Sequence, residues 1–193
     1  MRTEDDRQAK LAASRGRIAP VQLAHIVRRT SRFAEMVEWY QTVLAAEVVH
    51  SDAMLAFLTY DDEHHRVAIA NIPGLEEQPQ LAAGTDHVAF TYADLGDLLY
   101  TYARLKSAGI EPYWCVNHGP TTSLYYKDPD GSRVEMQVDN FATAEAANRW
   151  MRSGDFAANP IGIVFDPDSL LARYKSGASP SRASPRDHRY PRA

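Results

Sequence analysis

Short apolar runs of strand length alternate along this chain with longer stretches of helical spacing, and the order in which they do so occurs twice. Residues 22–27 read as a strand. Thr30 or Ser31 then offers an N-cap to a helix whose Phe33, Met36, Val37, Tyr40, Val43 and Leu44 recur on one face. Three strand candidates follow, at 46–51, 53–59 and 66–71, before Pro73-Gly74 breaks the run. The second half predicts a strand at 87–92 and a helix starting near Asp94 or Asp97 with Leu98, Leu99, Tyr102 and Leu105 on one face, ended by Gly109. Strands at 111–116, 123–126 and 133–138 complete it, the last two joined by the turn Asp128-Pro129-Asp130-Gly131.

The order βαβββ therefore appears twice, and the halves share local text. Leu58-Thr59-Tyr60-Asp61 parallels Leu124-Tyr125-Tyr126-Lys127, and Arg66-Val67-Ala68-Ile69 parallels Arg133-Val134-Glu135-Met136. An internal duplication is the simplest explanation. Overlaying the halves sets His25 on His87 and Ala68 on Glu135. The expected fold class is α+β: two βαβββ modules, at 18–72 and 84–140, forming one open metal-binding β-barrel as a catalytic domain over 18–140. A helical extension at 141–176, with a helix near 143–151, is expected to pack on the core. The segment 1–17 is expected to be flexible. The Ser-, Pro- and Arg-rich stretch 177–193 holds almost no aliphatic side chains and is expected to be a disordered tail.

Composition narrows the function classes. A chain of 193 residues, 45% hydrophobic, suffices for one well-buried core and is short for two full domains. A formal net charge of −4 argues against nucleic acid as a partner, because phosphate neutralisation needs a basic surface. Cys115 is the sole cysteine, so no internal disulfide forms and a reducing compartment is the natural reading. The charged first residues lack a secretory signal, and no uncharged run is long enough to span a membrane. A soluble, cytoplasmic protein is expected.

The candidate chemistry lies in three strand-like segments that carry His25, His87 and Glu135 among β-prone apolar neighbours. Two imidazoles and one carboxylate make the facial triad of a non-haem Fe(II) site, which leaves the far side of an octahedral metal free for a chelating substrate and O₂. Any one histidine alone has a bland reading as a surface or semi-buried side chain. Glu135 lies between Val134 and Met136, however, where an unpaired carboxylate costs several kcal/mol to bury. A bound cation removes that cost.

The pieces His64-His65-Arg66-Val67-Ala68, Asp86-His87-Val88-Ala89-Phe90 and His118-Gly119-Pro120-Thr121-Thr122-Ser123-Leu124-Tyr125-Tyr126-Lys127-Asp128-Pro129-Asp130-Gly131 through Glu135 resemble the catalytic half of type I extradiol dioxygenases. These belong to the vicinal-oxygen-chelate superfamily, with glyoxalase I and the bleomycin-resistance proteins. The resemblance covers roughly residues 21–140 and points to the small one-domain members described as acting on biphenyl-2,3-diol. It implies Fe(II), with Mn(II) as the alternative, held by His25, His87 and Glu135. It also implies His65 as acid/base, and His118 and Tyr125 as substrate-binding groups. The implied reaction opens a catechol-type diol of the 2,3-dihydroxybiphenyl kind with both atoms of O₂. A chain without the second, non-catalytic barrel of the larger members is expected to cover its surface by forming a homo-oligomer. Trp114 is a candidate wall for a flat aromatic ring. The rival readings are a glyoxalase-like metal-dependent isomerase or lyase, which would want a carboxylate where Ala68 stands, and a metal-free drug-binding module, which has no need of the triad.

Overall fold

The computed structural model describes residues 3, 5–6, 18–76, 79 and 83–177. The expected flexible segment and tail lie outside these, apart from residues 3, 5, 6 and 177. Among the described residues two mixed sheets carry the fold. The first contains β1 (Ile26–Thr30), β2 (Glu47–Ser51), β3 (Leu55–Thr59) and β4 (Val67–Asn71) in the order β1-β4-β3-β2. The second contains β5 (His87–Thr91), β6 (Trp114–Asn117), β7 (Thr121–Lys127), β8 (Arg133–Asp139) and β9 (Ile163–Val164) in the order β5-β8-β7-β6-β9. Helix α1 (Phe33–Leu44) links β1 to β2, and α2 (Leu95–Ser107) links β5 to β6. The sheets do not close on each other, so the α+β duplication takes an open form.

The repeat is exact at the level of register. β1 and β4 run parallel with Ile26 opposite Val67 and Val27 opposite Ala68; β5 and β8 run parallel with Val88 opposite Val134 and Ala89 opposite Glu135. His25 and His87 thus hold equivalent places, and Ala68 stands where Glu135 does. Each helix buries one stripe on its own sheet: Met36, Tyr40 and Val43 against Leu58, Val67 and Ile69, and Leu98, Tyr102 and Leu105 against Leu124, Tyr126 and Met136. These residues form one continuous core.

Three strands start two or more residues later than the sequence reading. β1 starts at Ile26 rather than Gln22, because the Arg66 guanidinium takes the Leu23 and Ala24 carbonyls and the ladder begins only where β4 does. β3 starts at Leu55 because the Asp52 carboxylate accepts the Met54 and Leu55 amides in a turn. β6 starts at Trp114, after Pro112, which has no amide to give. The first helix is capped at Arg32 without a side-chain bond, and Thr30 instead accepts the Arg32 amide.

A clasp joins the modules. The buried Asp128 carboxylate receives Arg28 of β1 at 3.0 Å and the Tyr40 hydroxyl of α1 at 3.2 Å, while Arg32 donates to the Pro129 carbonyl. Arg104 of α2 donates to the Thr42 and Val43 carbonyls at the end of α1, groups that have no intrahelical partner. After β8 come α3 (Ala144–Met151), α4 (Gly154–Ala158), β9 and α5 (Pro167–Lys175). Thr143 caps α3 by accepting the Ala146 amide, β9 extends the second sheet beside β6, and Asp168 of α5 bonds Tyr102 and Lys106 of α2. No helix among the described residues is long and apolar enough to cross a membrane.

Candidate active site

One row of the second sheet holds most of the candidate chemistry. Ala89, Glu135, Tyr125 and Trp114 lie opposite one another across β5, β8, β7 and β6. Pleating sends alternate side chains to one face, so Glu135, Tyr125 and Trp114 share a side. His87 comes from the start of β5, two residues before Ala89, and its Nε2 lies 3.0 Å from Glu135 Oε2. Glu135 is 5% exposed. On its other side His87 presents Nδ1 to the Asp86 carboxylate at 2.8 Å, and Arg133 holds Asp86 at 2.7 Å.

This pair fits a metal ion. Two donors bonded to one cation at right angles, with bonds of about 2.1 Å, stand about 3.0 Å apart, the spacing of His87 Nε2 and Glu135 Oε2. A ligating imidazole also needs its second nitrogen to carry a proton, and Asp86 accepts from Nδ1 in the manner of a carboxylate–histidine–metal relay. The Glu135 carboxylate is buried, whereas the His87 side chain is 34% exposed.

Tyr125 extends the row. Its hydroxyl lies 3.0 Å from His118 Nε2, and its backbone is paired directly with that of Glu135 across β7 and β8. Burial first, then the Glu135 charge, pushes its phenol above the ordinary range. His118 sits just after β6, with Nδ1 2.5 Å from the Ile161 carbonyl. Trp114 lies over Tyr125 with ring centroids 4.8 Å apart and meets His118 edge to face at 5.6 Å.

His25 and His65 stand apart from this group. His25 precedes β1, exposed, its ring 4.4 Å from that of His65. His65 lies in the loop before β4, stacks on Phe57 at 4.7 Å, and has His64 Nδ1 2.6 Å from its own Nδ1. Partial burial, followed by the His25 and His64 imidazoles, lowers its pKa from the ordinary histidine value. Among the described residues no three His, Cys, Asp or Glu side chains are gathered closely enough to enclose a cation. The structure thus joins His87 with Glu135 and does not bring His25 to them. His25 and His87 line two neighbouring clefts between β1 and β5 that share Leu23, Ile26, Val88 and Ala89 as walls.

Sequence reasoning missed Asp86 and Ile161. Asp86 carried a signal, a carboxylate adjacent to a candidate ligand. Ile161 carried none, because its contribution is a backbone carbonyl.

The match to known proteins runs the length of this architecture. The profile of the Glyoxalase/Bleomycin resistance protein/Dioxygenase superfamily matches residues 22–136. Biphenyl-2,3-diol 1,2-dioxygenase 2 of Rhodococcus globerulus is 51% identical over 163 residues, 84% of this chain and 85% of its own length. Biphenyl-2,3-diol 1,2-dioxygenase 3 of the same organism is 45% identical over 167 residues, 86% of this chain and 88% of its own. Among solved structures, a glyoxylase/bleomycin resistance protein/dioxygenase domain from Frankia sp. EAN1pec superposes with a TM-score of 0.54 at 16% identity, covering 65% of this chain and 96% of that one. That likeness speaks for the fold, and the profile and the curated relatives together establish that the chain belongs to the glyoxalase/bleomycin resistance protein/dioxygenase superfamily.

Proposed function

We propose that this protein is an extradiol dioxygenase that opens the ring of a catechol-type diol, of the 2,3-dihydroxybiphenyl kind, with O₂. The observation that carries the reading is the row Glu135–Tyr125 flanked by Asp86–His87 and by His118, in which a carboxylate and an imidazole at cation-sharing distance adjoin two polar side chains. The two dioxygenase relatives supply the reaction class.

His87 and Glu135 would hold a divalent cation, Fe(II) with Mn(II) as the alternative, and His25, in the place His87 holds in the other module, is the third ligand we assign. When bound, a redox-active ion supplies the electronic path that lets a singlet diol react with triplet O₂. Ala68 offers no fourth ligand at the position of Glu135, which speaks against a glyoxalase-like isomerase. Asp86 keeps the proton of His87 on Nδ1. The His65 imidazole accepts a proton from the diol at its ring nitrogen and returns it later, the task of a base near neutrality. His118 and Tyr125 present fixed hydrogen-bonding groups to the developing oxygen charge, which has most effect where water is excluded. Trp114 walls the aromatic ring. We infer self-association, which sedimentation would contradict by finding a monomer.

The test is oxygen uptake by anaerobically iron-loaded protein. Simple catechols, 2,3-dihydroxybiphenyl and larger fused-ring diols should include at least one that consumes O₂ and gives a yellow ring-fission product, and chelation of the iron should abolish it. Inertness across that panel with iron confirmed in place would end the proposal. Stoichiometric Zn or Ni with no O₂ uptake would favour the isomerase.

A further inference from the structure

The extension that follows β8 lies outside the part of the chain that matches the superfamily profile, yet it reaches one of the groups assigned above. It grips the turn between β6 and β7 from two directions. Gly162 lies against the start of that turn: a Cβ there would meet the Asn117 carbonyl oxygen at 2.1 Å and His118 Cα at 2.7 Å, and its φ of +107 favours glycine independently. On the other side the Trp150 indole covers Gly119 so closely that a Cβ would lie 2.0 Å from the ring. Asn159 braces the inner arm, accepting the Gly162 amide and donating to the Gly162 carbonyl, each at 2.9 Å. β9 then pairs with β6, with Ile163 opposite Asn117 and Val164 opposite Val116.

The product of this grip is a bond to His118. A carbonyl oxygen can only accept, so the 2.5 Å contact from Ile161 requires the proton on His118 Nδ1. In the neutral ring Nε2 is then an unprotonated acceptor, and it lies 3.0 Å from the Tyr125 hydroxyl. The Tyr125 hydroxyl can donate or accept, so of the two bonds described for this ring only the one to the Ile161 carbonyl dictates that tautomer.

We propose that the extension is a positioning strap for catalysis: the Ile161 carbonyl, set by Gly162 and Asn159, locks His118 as the Nδ1–H tautomer with Nε2 turned to Tyr125. His118 touches substrate on the reading given above, and Ile161, Gly162 and Asn159 are positioning residues that act through it. The inference rests on that reading for its effect on turnover, but not for its effect on the imidazole.

The experiment uses the full chain with ¹⁵N-labelled histidine, zinc-loaded for two-bond proton–nitrogen correlation spectra and iron-loaded for kinetics, with His118→Gln to assign the signal. The parent protein should show His118 in the Nδ1–H form alone. Gly162→Ala, and the milder Asn159→Ala in case the first does not fold, should mix or reverse the tautomers. Both should also lower kcat about 10- to 100-fold, as loss of an orienting partner does, with KM held within about threefold. A variant that keeps the Nδ1–H form, or loses it with kcat unchanged, overturns the strap. A parent protein that cleaves no diol rejects the dioxygenase reading instead, and the spectra still decide whether the extension sets the tautomer.

Discussion

Adjacent tyrosines on β7 show how much turns on which face a side chain takes. Tyr125 faces His118 and Glu135; Tyr126 is fully buried in the core, and its hydroxyl has no partner among the described residues. A buried hydroxyl without a partner costs stability, so Tyr126→Phe should leave turnover unchanged and raise or preserve stability, by up to about 1 kcal/mol in urea titration. A clear loss of stability would mean that the hydroxyl is satisfied after all. Tyr125→Phe should keep the fold and lower kcat about 100-fold, the scale of one lost preorganised donor; an unchanged kcat would remove Tyr125 from the machinery. The choice between the two is legible in sequence, because Tyr125 stands an even ten residues before Glu135 across a tight turn, and the ladder pairs them directly. The place of His65 is not legible that way: it precedes β4, where alternation has not begun, and its side is fixed by stacking on Phe57.

Whole elements are readable where their signal is periodic. Both long helices follow from apolar spacing, and the second also from the capping chemistry of Asp94. The start of β1 is set by a partner far along the chain, Arg66, through its bonds to Leu23 and Ala24, and β9 is two residues with no pattern to read. The seat of α5 is likewise tertiary. Its Asp168 carboxyl is held below the usual carboxylate range, first by the Lys106 hydrogen bond and then by Tyr102. A depressed carboxyl stabilises the folded state above its unfolded value of about 3.9 and loses that contribution as pH falls through its folded value. Amide exchange in α5, corrected for intrinsic rates, should therefore show protection at about pH 6 that fades towards pH 3. Asp168→Asn should show the weaker protection at both. Equal protection of the parent at both pH values would refute this role for the bond.

At the scale of the molecule the duplication is visible in sequence and the joint between its halves is not. The Asp128 turn announces itself through Pro129 and Gly131, but its clasp on Arg28 and Tyr40 joins residues about a hundred positions apart, which no local pattern encodes. Removing one partner from a buried charge pair leaves the other uncompensated, so Asp128→Ala should cost about 3–5 kcal/mol and lower the urea midpoint accordingly. A loss below about 1 kcal/mol would show that the modules are held by their shared apolar core alone. The strand pairings add a consequence for biosynthesis. Every pairing of the first sheet closes within residues 26–71, so that half carries a complete ladder while its sister is still being translated. His118, by contrast, meets its carbonyl partner only once residue 161 has left the ribosome, after the strands β1 to β8 have all been synthesised.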